Sequence, residues 1–592
     1  MADLDTRILF ENVDISDYDL HPDCKKAVCS VNFGKNWELA LLDIRTGSLK
    51  RLMSGPQSLM NPRLSPDGRT VAYQMDFEGD EDHDIVLAST RGGGPVKITD
   101  GVEDNYDPEF SPDGASVAFL SNRDKDIDNL YVVPADGGRI RKLSREPLPV
   151  RTFSWSPDGT MIAYGTGVGD NDYISLVNVG SGKTKKILSK NNAEYSLSGE
   201  YGDPHPWSPD GRRLLFLSNE HNFFDIGELD VRSGKMRWIV RSRAEKHMPQ
   251  WSPDGSRLAY LENDDPSVVV KVQSGQSTRT VSPSDGASKG LKWLPDGSGV
   301  MFVNGASTRP DEVFVSRQGT PKKITKFQPR SLPKRILPRP QRIKFESFDG
   351  LRVPALLYSP RDTSRRAGIV YPHGGPEMQD TNSWDQLTIM LLEKGFHLIK
   401  PNYRGSTGYG RKFLHLHDGD LGGGDFKDTV WAGKYLTDSG LVDADRLGYW
   451  GASYSGYTCM LSLTKFPDMW AAGVSIVGFF NWETEHANER GYLKAYDESK
   501  MGDPKKNPKL FMDRSPIHFL DRLRAPLLMT ASSKDVRCPP TESRAVVAEL
   551  KRMGKKYDYH EYTDEGHWPR KRKNLKDLYE RSTRWLDGNI PK

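Results

Sequence analysis

A chain of 592 residues, 28% charged and 36% hydrophobic, with a formal net charge of +3, has room for several domains and a large core. Both signs of charge are plentiful, which excludes bulk nucleic-acid binding as a reading of composition, and no apolar run reaches the ~18 residues a membrane span needs. Four cysteines (Cys24, Cys29, Cys459 and Cys538) without C-x-x-C spacing fit a reducing interior and free thiols.

In chain order, the opening "MADLDTRILFENVD" has neither a basic nor an apolar leader region, so no secretory signal is expected and a cytoplasmic location is the default. A repeat follows. A Pro-Asp pair recurs seven times, at Pro22 ("HPDC"), Pro66, Pro112, Pro157, Pro209, Pro253 and Pro295, at spacings of 42–52 residues. In S-P-D-G, proline sets φ at one corner and glycine supplies a positive φ, which makes a turn. Each turn is followed by an alternating run such as "SVAFLSN" or "RLAYLEN", then by a second such as "NLYVVPA". Short strands at this spacing match the ~40–45-residue blade of a β-propeller. Seven turns predict a seven-bladed β-propeller occupying residues 1–328; a β-sandwich array is the alternative, and the regular single-turn spacing argues against it.

"PRSLPKRILPRPQR" (329–342) is rich in proline and arginine and reads as a linker. From 343 to 592, short apolar strands ("AGIVYP", "FHLIKP", "RLGYWG", "AAGVSIVG", "APLLMTAS", "YDYHEYT") alternate with helix-length segments. That alternation predicts an α/β domain with a largely parallel sheet, whose chemistry sits at the carboxyl ends of the strands. The basic run "RKRK" (570–573) reads as an exposed helix face rather than a binding patch.

Within that domain "LGYWGASYSGYTCML" (447–461) has the pattern strand, turn, helix. A nucleophile elbow needs small residues two before and two after its serine. Around Ser453 these are Gly451 and Ser455; around Ser455 they are Ser453 and Tyr457, and a tyrosine does not fit. Ser453 is therefore the candidate nucleophile. Its base and orienting carboxylate should follow in the order Asp, His, each after a strand. Asp535 in "KDVRCPP" and His567 in "DEGHW" stand at those places. Two N–H donors should face the oxyanion: that of Tyr454, next to the nucleophile, and that of Gly375 in "VYPHGGPEM". No metal or other cofactor enters this chemistry.

A propeller joined to "HGGP", "NYRGSTGYG", "GASYSGY", "DVRCPP" and "DEGHW" resembles the prolyl oligopeptidase family of serine peptidases, and most closely its acylaminoacyl-peptidase branch. The resemblance implies an α/β-hydrolase catalytic domain facing a cavity under the propeller, which excludes folded proteins. It implies that Arg537 binds a substrate carbonyl and that an apolar S1 pocket lies beside Ser453. Phe479, Phe480 and Trp482 are candidate walls of that pocket, with core packing as the alternative. Cys538 either lines it or is a buried, inert thiol. Ser455 stands where the family usually has glycine, and Ala531-Ser532 replaces a common His-Gly. No Glu-Glu dipeptide occurs, which disfavours the dipeptidyl-peptidase IV branch. The expected substrate is a short peptide or acyl-peptide, with neither nucleic acid nor membrane as partner and with self-association left open. An esterase or small-molecule amidase using the same triad is the second reading, and a non-catalytic propeller scaffold the third.

Overall fold

The S-P-D-G turns build the first half of the molecule. In each the serine hydroxyl donates to the aspartate, as from Ser65 Oγ to Asp67 Oδ1 at 2.6 Å, and the glycine N–H closes the turn on the serine carbonyl. The turn glycines have φ between 66° and 73°, and Cys24 takes the same left-handed place in the first turn with φ 58°. The turns also touch one another. A side chain at Gly114, Gly159, Gly211, Gly255 or Gly297 would lie 3.4–3.7 Å from the proline ring of the preceding turn. The tryptophan before the turn ties neighbouring units together, Trp207 Nε1 donating to Ser154 O at 3.1 Å and Trp293 Nε1 to Gln250 O at 3.3 Å.

The computed structural model describes residues 5–592 apart from 78, 125, 170–171, 200–203, 330 and 334–336. Five four-stranded antiparallel sheets succeed one another over residues 14–53, 59–97, 105–142, 150–188 and 195–240. An eight-stranded sheet over 246–323 consists of two antiparallel sets joined at a single parallel pair, Val268 and Ala287. The units form a propeller domain with an apolar layer between neighbours. The first strands also pack on the last: Ile15, Tyr18 and Ala27 share a core with Met301, Val303 and Val313. There the Tyr18 hydroxyl donates to Gly290 O at 2.6 Å and Lys292 pairs with Asp19 at 3.0 Å. Within the expected linker, residues 330 and 334–336 lie outside the described residues.

The second half is an α/β-hydrolase domain. Its sheet runs Gln341–Glu346, Arg352–Tyr358, Phe396–Pro401, Ala367–Val370, Leu447–Ala452, Ala472–Ile476, Leu527–Ser532 and Tyr557–Tyr562. The last six strands are parallel and the first two antiparallel to their neighbours. Both faces are buried, so these strands read as apolar runs rather than alternations. Val370, Tyr449 and Met529 face the helices Gly424–Asp438, Tyr454–Lys465 and Pro540–Arg552. Ile369, Trp450 and Leu528 face Gln386–Glu393 and Arg572–Asn589. Among the described residues no helix is long and apolar enough to cross a membrane.

The start of the chain belongs physically to this second core. The short helix Thr6–Phe10, capped by the Asp5 carboxylate, buries Leu9 and Phe10 against the helix Arg572–Asn589, with the Phe10 and Tyr579 rings 6.2 Å apart. Phe10→Ala should therefore cost about 3–5 kcal/mol of hydrolase-domain stability, the usual loss for a buried phenylalanine. Denaturant titration followed by tryptophan fluorescence measures it, and a loss under about 1 kcal/mol would mean that the packing is incidental.

Candidate active site

The strand Leu447–Ala452 ends in a turn that places Ser453 at φ 58° and ψ −127°, a conformation seldom taken by a residue with a side chain. The helix Tyr454–Lys465 begins at once. Gly451 is required, because a Cβ there would sit 2.0 Å from Ser455 O. Ser455 is 1% exposed, and its hydroxyl accepts from Ala452 N at 2.8 Å and donates to Ala452 O at 2.9 Å. It braces the turn from inside.

The hydroxyl of Ser453 faces a histidine. His567 Nε2 lies 2.9 Å from Ser453 Oγ, and His567 Nδ1 lies 2.9 Å and 3.0 Å from the two oxygens of Asp535. The backbone N–H groups of Arg537 and Cys538 each donate to Asp535 Oδ1 at 2.9 Å, and the Asp535 side chain is fully enclosed. With its oxygens held by the ring and by two N–H groups, the carboxylate keeps the imidazole in one orientation.

Tyr454 opens its helix, so its N–H belongs to the first-turn donors that have no acceptor within the helix. Facing it is the turn from His373 to Glu377, where a side chain on Gly374 would come 3.4 Å from Ser453 Cβ and 4.0 Å from its Oγ. Gly375 has φ 120°, outside the reach of other residues. Tyr403 props this turn, its hydroxyl lying 3.2–3.3 Å from the carbonyls of His373, Gly374 and Pro376. The His373 ring stacks on Tyr403 at 4.4 Å, and burial pulls its pKa down, which favours the neutral ring. Glu377 anchors the far side of the turn through Lys500 Nζ at 2.7 Å and His417 Nε2 at 3.2 Å. Burial alone would raise the Glu377 pKa, but His417 and Lys500 bring it to about 2. Glu377, His417 and Asp418 together have metal-ligand character, yet Lys500 already stands 2.7 Å from both carboxylates and fills the place of a cation.

Residues 382–592 match the prolyl oligopeptidase family, and residues 27–247 match the TolB β-propeller domain. Residues 382–592 are a prolyl oligopeptidase family domain. Dipeptidyl aminopeptidase BIII of Pseudoxanthomonas mexicana is 30% identical over 34% of this chain, a stretch that spans only 30% of that protein. The peptidase YuxL of Bacillus subtilis (strain 168) is 25% identical over 87% of both chains. A puromycin-hydrolyzing peptidase of Mycobacterium tuberculosis has the same fold, with a TM-score of 0.88 at 18% identity over 99% of this chain and 96% of its own.

In this prolyl oligopeptidase domain the serine, aspartate and histidine singled out in the sequence meet, and the Gly375 turn lies beside them. Arg537 follows Asp535 and points across the domain boundary, its Nε donating to Glu81 Oε2 of the propeller at 2.9 Å. Burial would raise the Glu81 pKa, but Arg537, with Arg570 and His567 farther off, holds it below the ordinary value. Burial would likewise lower the Arg537 pKa, which Tyr492 and Glu81 raise instead. Arg490 reaches Asp82 at 2.6 Å and Asp104 at 3.2 Å on the same propeller edge, and Arg570 reaches Asp76. Backbones meet there too, since a side chain on Gly566, next to His567, would lie 1.7 Å from Gly79 O.

Phe479, Phe480 and Trp482 are buried in one core with Cys538; the Phe479 ring stacks on Tyr457 at 4.5 Å and lies 6.4 Å from Tyr454. Cys538 is 7% exposed, and burial, with Glu485 and Asp535 nearby, pushes its thiol pKa well up. Sequence reasoning missed Glu81, Arg490 and Tyr403. Tyr403 and its neighbours carried a motif signal in "NYRGSTGYG", but the propeller residues carried none.

Ser453→Ala should abolish labelling by a fluorophosphonate, whereas Ser455→Gly should keep most activity while losing the internal brace. An adduct located on Ser455 by mass spectrometry would reverse the assignment. Asp535→Asn should cost about 10⁴ in rate, as in other triads. Retention of more than about a tenth of the activity would mean that another group orients His567.

Proposed function

We propose that the chain is a serine peptidase hydrolysing short peptides, N-acylated ones included, through an acyl-enzyme on Ser453. The observation that carries this reading is the continuous path Ser453 Oγ, His567, Asp535, with both links at 2.9 Å. Ser453 attacks the carbonyl carbon as His567 Nε2 takes its proton, and Asp535 stabilises the imidazolium through Nδ1–H. The N–H groups of Tyr454 and Gly375 receive the oxyanion. His567 then protonates the leaving amine, and water repeats the sequence on the acyl-enzyme.

Around this chemistry we propose a seven-bladed propeller within residues 1–328, its strands starting at Asp14 because Leu9 and Phe10 pack on the catalytic domain, then a linker over 329–342 and a catalytic domain over 343–592. The packing of the first strands on the last supports a closed ring. Phe479 is the proposed S1 wall, with Phe480, Trp482 and Cys538 behind it. Free thiols are consistent with a cytoplasmic setting. The propeller edge at Glu81 and Gly79 stands over the catalytic face, which supports a size filter. Peptides under about thirty residues, a family expectation, should be cleaved and denatured casein should not. Efficient casein digestion would exclude the filter.

Arg537 separates peptidase from esterase. Its Nε is engaged by Glu81, which leaves the two terminal nitrogens of the fork to hold a peptide carbonyl that a simple ester lacks. Arg537→Ala should lower kcat/KM for an acyl-dipeptide anilide by about 10- to 150-fold and change p-nitrophenyl butyrate hydrolysis only a few fold. Equal losses on both would assign Arg537 a structural role. No loss on either would favour the esterase reading.

A further inference from the structure

Beside Arg537 the seam between the domains encloses a cavity of about 320 Å³, walled by propeller strands on one side and by Arg490, Tyr492, Arg537 and Arg570 on the other. Three of its four guanidinium groups are neutralised by the propeller: Arg537 by Glu81, Arg490 by Asp82 and Asp104, Arg570 by Asp76. The fourth is different. Arg151, on the inner strand Val150–Trp155, is exposed to the chamber and has no hydrogen-bond or ion-pair partner among the described residues. It also lines a second cavity, of about 220 Å³, formed by the inner strands of the propeller. An arginine that lines a cavity with no protein partner on its guanidinium can offer that fork of donors to a planar anion.

The cavity has acidic groups as well, and their states decide its sign. Asp104 is already bonded to His83 at 2.8 Å and to Arg490 at 3.2 Å. Asp128 is pushed up to about 6 by burial and by Asp104, against the opposing pull of Tyr106 and Arg151, so it is still mostly ionised at neutrality and loses its charge below about pH 6. Burial would lower the His83 pKa, but Asp104 raises it, which adds positive character. Arg151 acts through space on Asp128 and Asp172, and Asp19, Asp107 and Glu109 line the second cavity with it, but no carboxylate among the described residues closes a hydrogen bond or ion pair on its guanidinium.

We propose that Arg151 receives a carboxylate on the acyl side of the substrate, so that peptides with an acidic acyl cap, or an acidic residue two or three positions before the cleaved bond, are preferred. This rests on the peptidase reading above, in which Arg537 holds a carbonyl on that same side. Arg151 and Arg537 line the same cavity.

The test is a matched pair of anilides, succinyl-Ala-Ala-p-nitroanilide and its methoxysuccinyl counterpart, which differ only in one charge. The wild type should favour the succinyl substrate in kcat/KM by about tenfold or more, the usual worth of a charged hydrogen bond. Arg151→Gln should bring that ratio to about one while leaving the methoxysuccinyl substrate within about twofold, and Arg151→Lys should keep part of the preference. A wild-type ratio near one, or a ratio unchanged in Arg151→Gln, overturns the proposal. Failure of the wild type to cleave either substrate overturns the peptidase reading, and the subsite with it.

Discussion

The site depends on one strained backbone turn. Ser453 is held at φ 58° between a strand and a helix, a conformation that costs on the order of 1–3 kcal/mol and persists only where its surroundings over-determine it. Here they do so from several directions. Ser453 N is tied to Ile476 O at 2.9 Å on the next strand, Ser455 braces the turn from within, and Gly451 gives the room. The reward is position: the hydroxyl stands at the carboxyl edge of the sheet, within reach of a histidine from a loop three strands away, and the helix Tyr454–Lys465 begins at the same spot.

Much of this was legible in the sequence because it is encoded locally. The S-P-D-G turn states its own geometry, and its recurrence states the architecture. The elbow needs small residues at fixed offsets, and a triad in an α/β sheet needs a fixed order along the chain, so Ser453, Asp535 and His567 could be named together. The neighbours of the triad were hidden for the opposite reason. Glu81 and Arg537 are 456 positions apart and belong to different domains, so no spacing rule links them. Leu9 and Phe10 looked like the start of the propeller, yet the surface that buries them is built by residues near the other end of the chain. A local pattern names an element; which distant element covers it is a matter of packing.

The seam between the domains is asymmetric in its chemistry. On one side the contacts are ionic, joining Arg490, Arg537 and Arg570 to propeller carboxylates. On the other they are largely backbone donors: Gly408 N and Gly410 N give 2.9 Å and 3.0 Å bonds to the buried Glu245, and Arg411 N meets Asn222 O. Burial raises the Glu245 pKa to about 7, so those two N–H groups offset only part of its desolvation. Ion pairs at the edge of a cavity weaken with salt, whereas buried backbone bonds do not. The two sides therefore answer to different variables.

The contact of Gly79 with Gly566 has a kinetic meaning. The loop that carries His567 rests backbone to backbone on the propeller, so a movement of that propeller edge bears directly on the position of the histidine. Under the proposed mechanism, a substrate that entered by this seam would have to part the domains and so draw His567 away from Ser453. Chemistry and transport would then alternate in time. For a fast substrate of such an enzyme the ceiling on turnover would be the frequency with which the halves separate, common to amide and ester and sensitive to solvent viscosity.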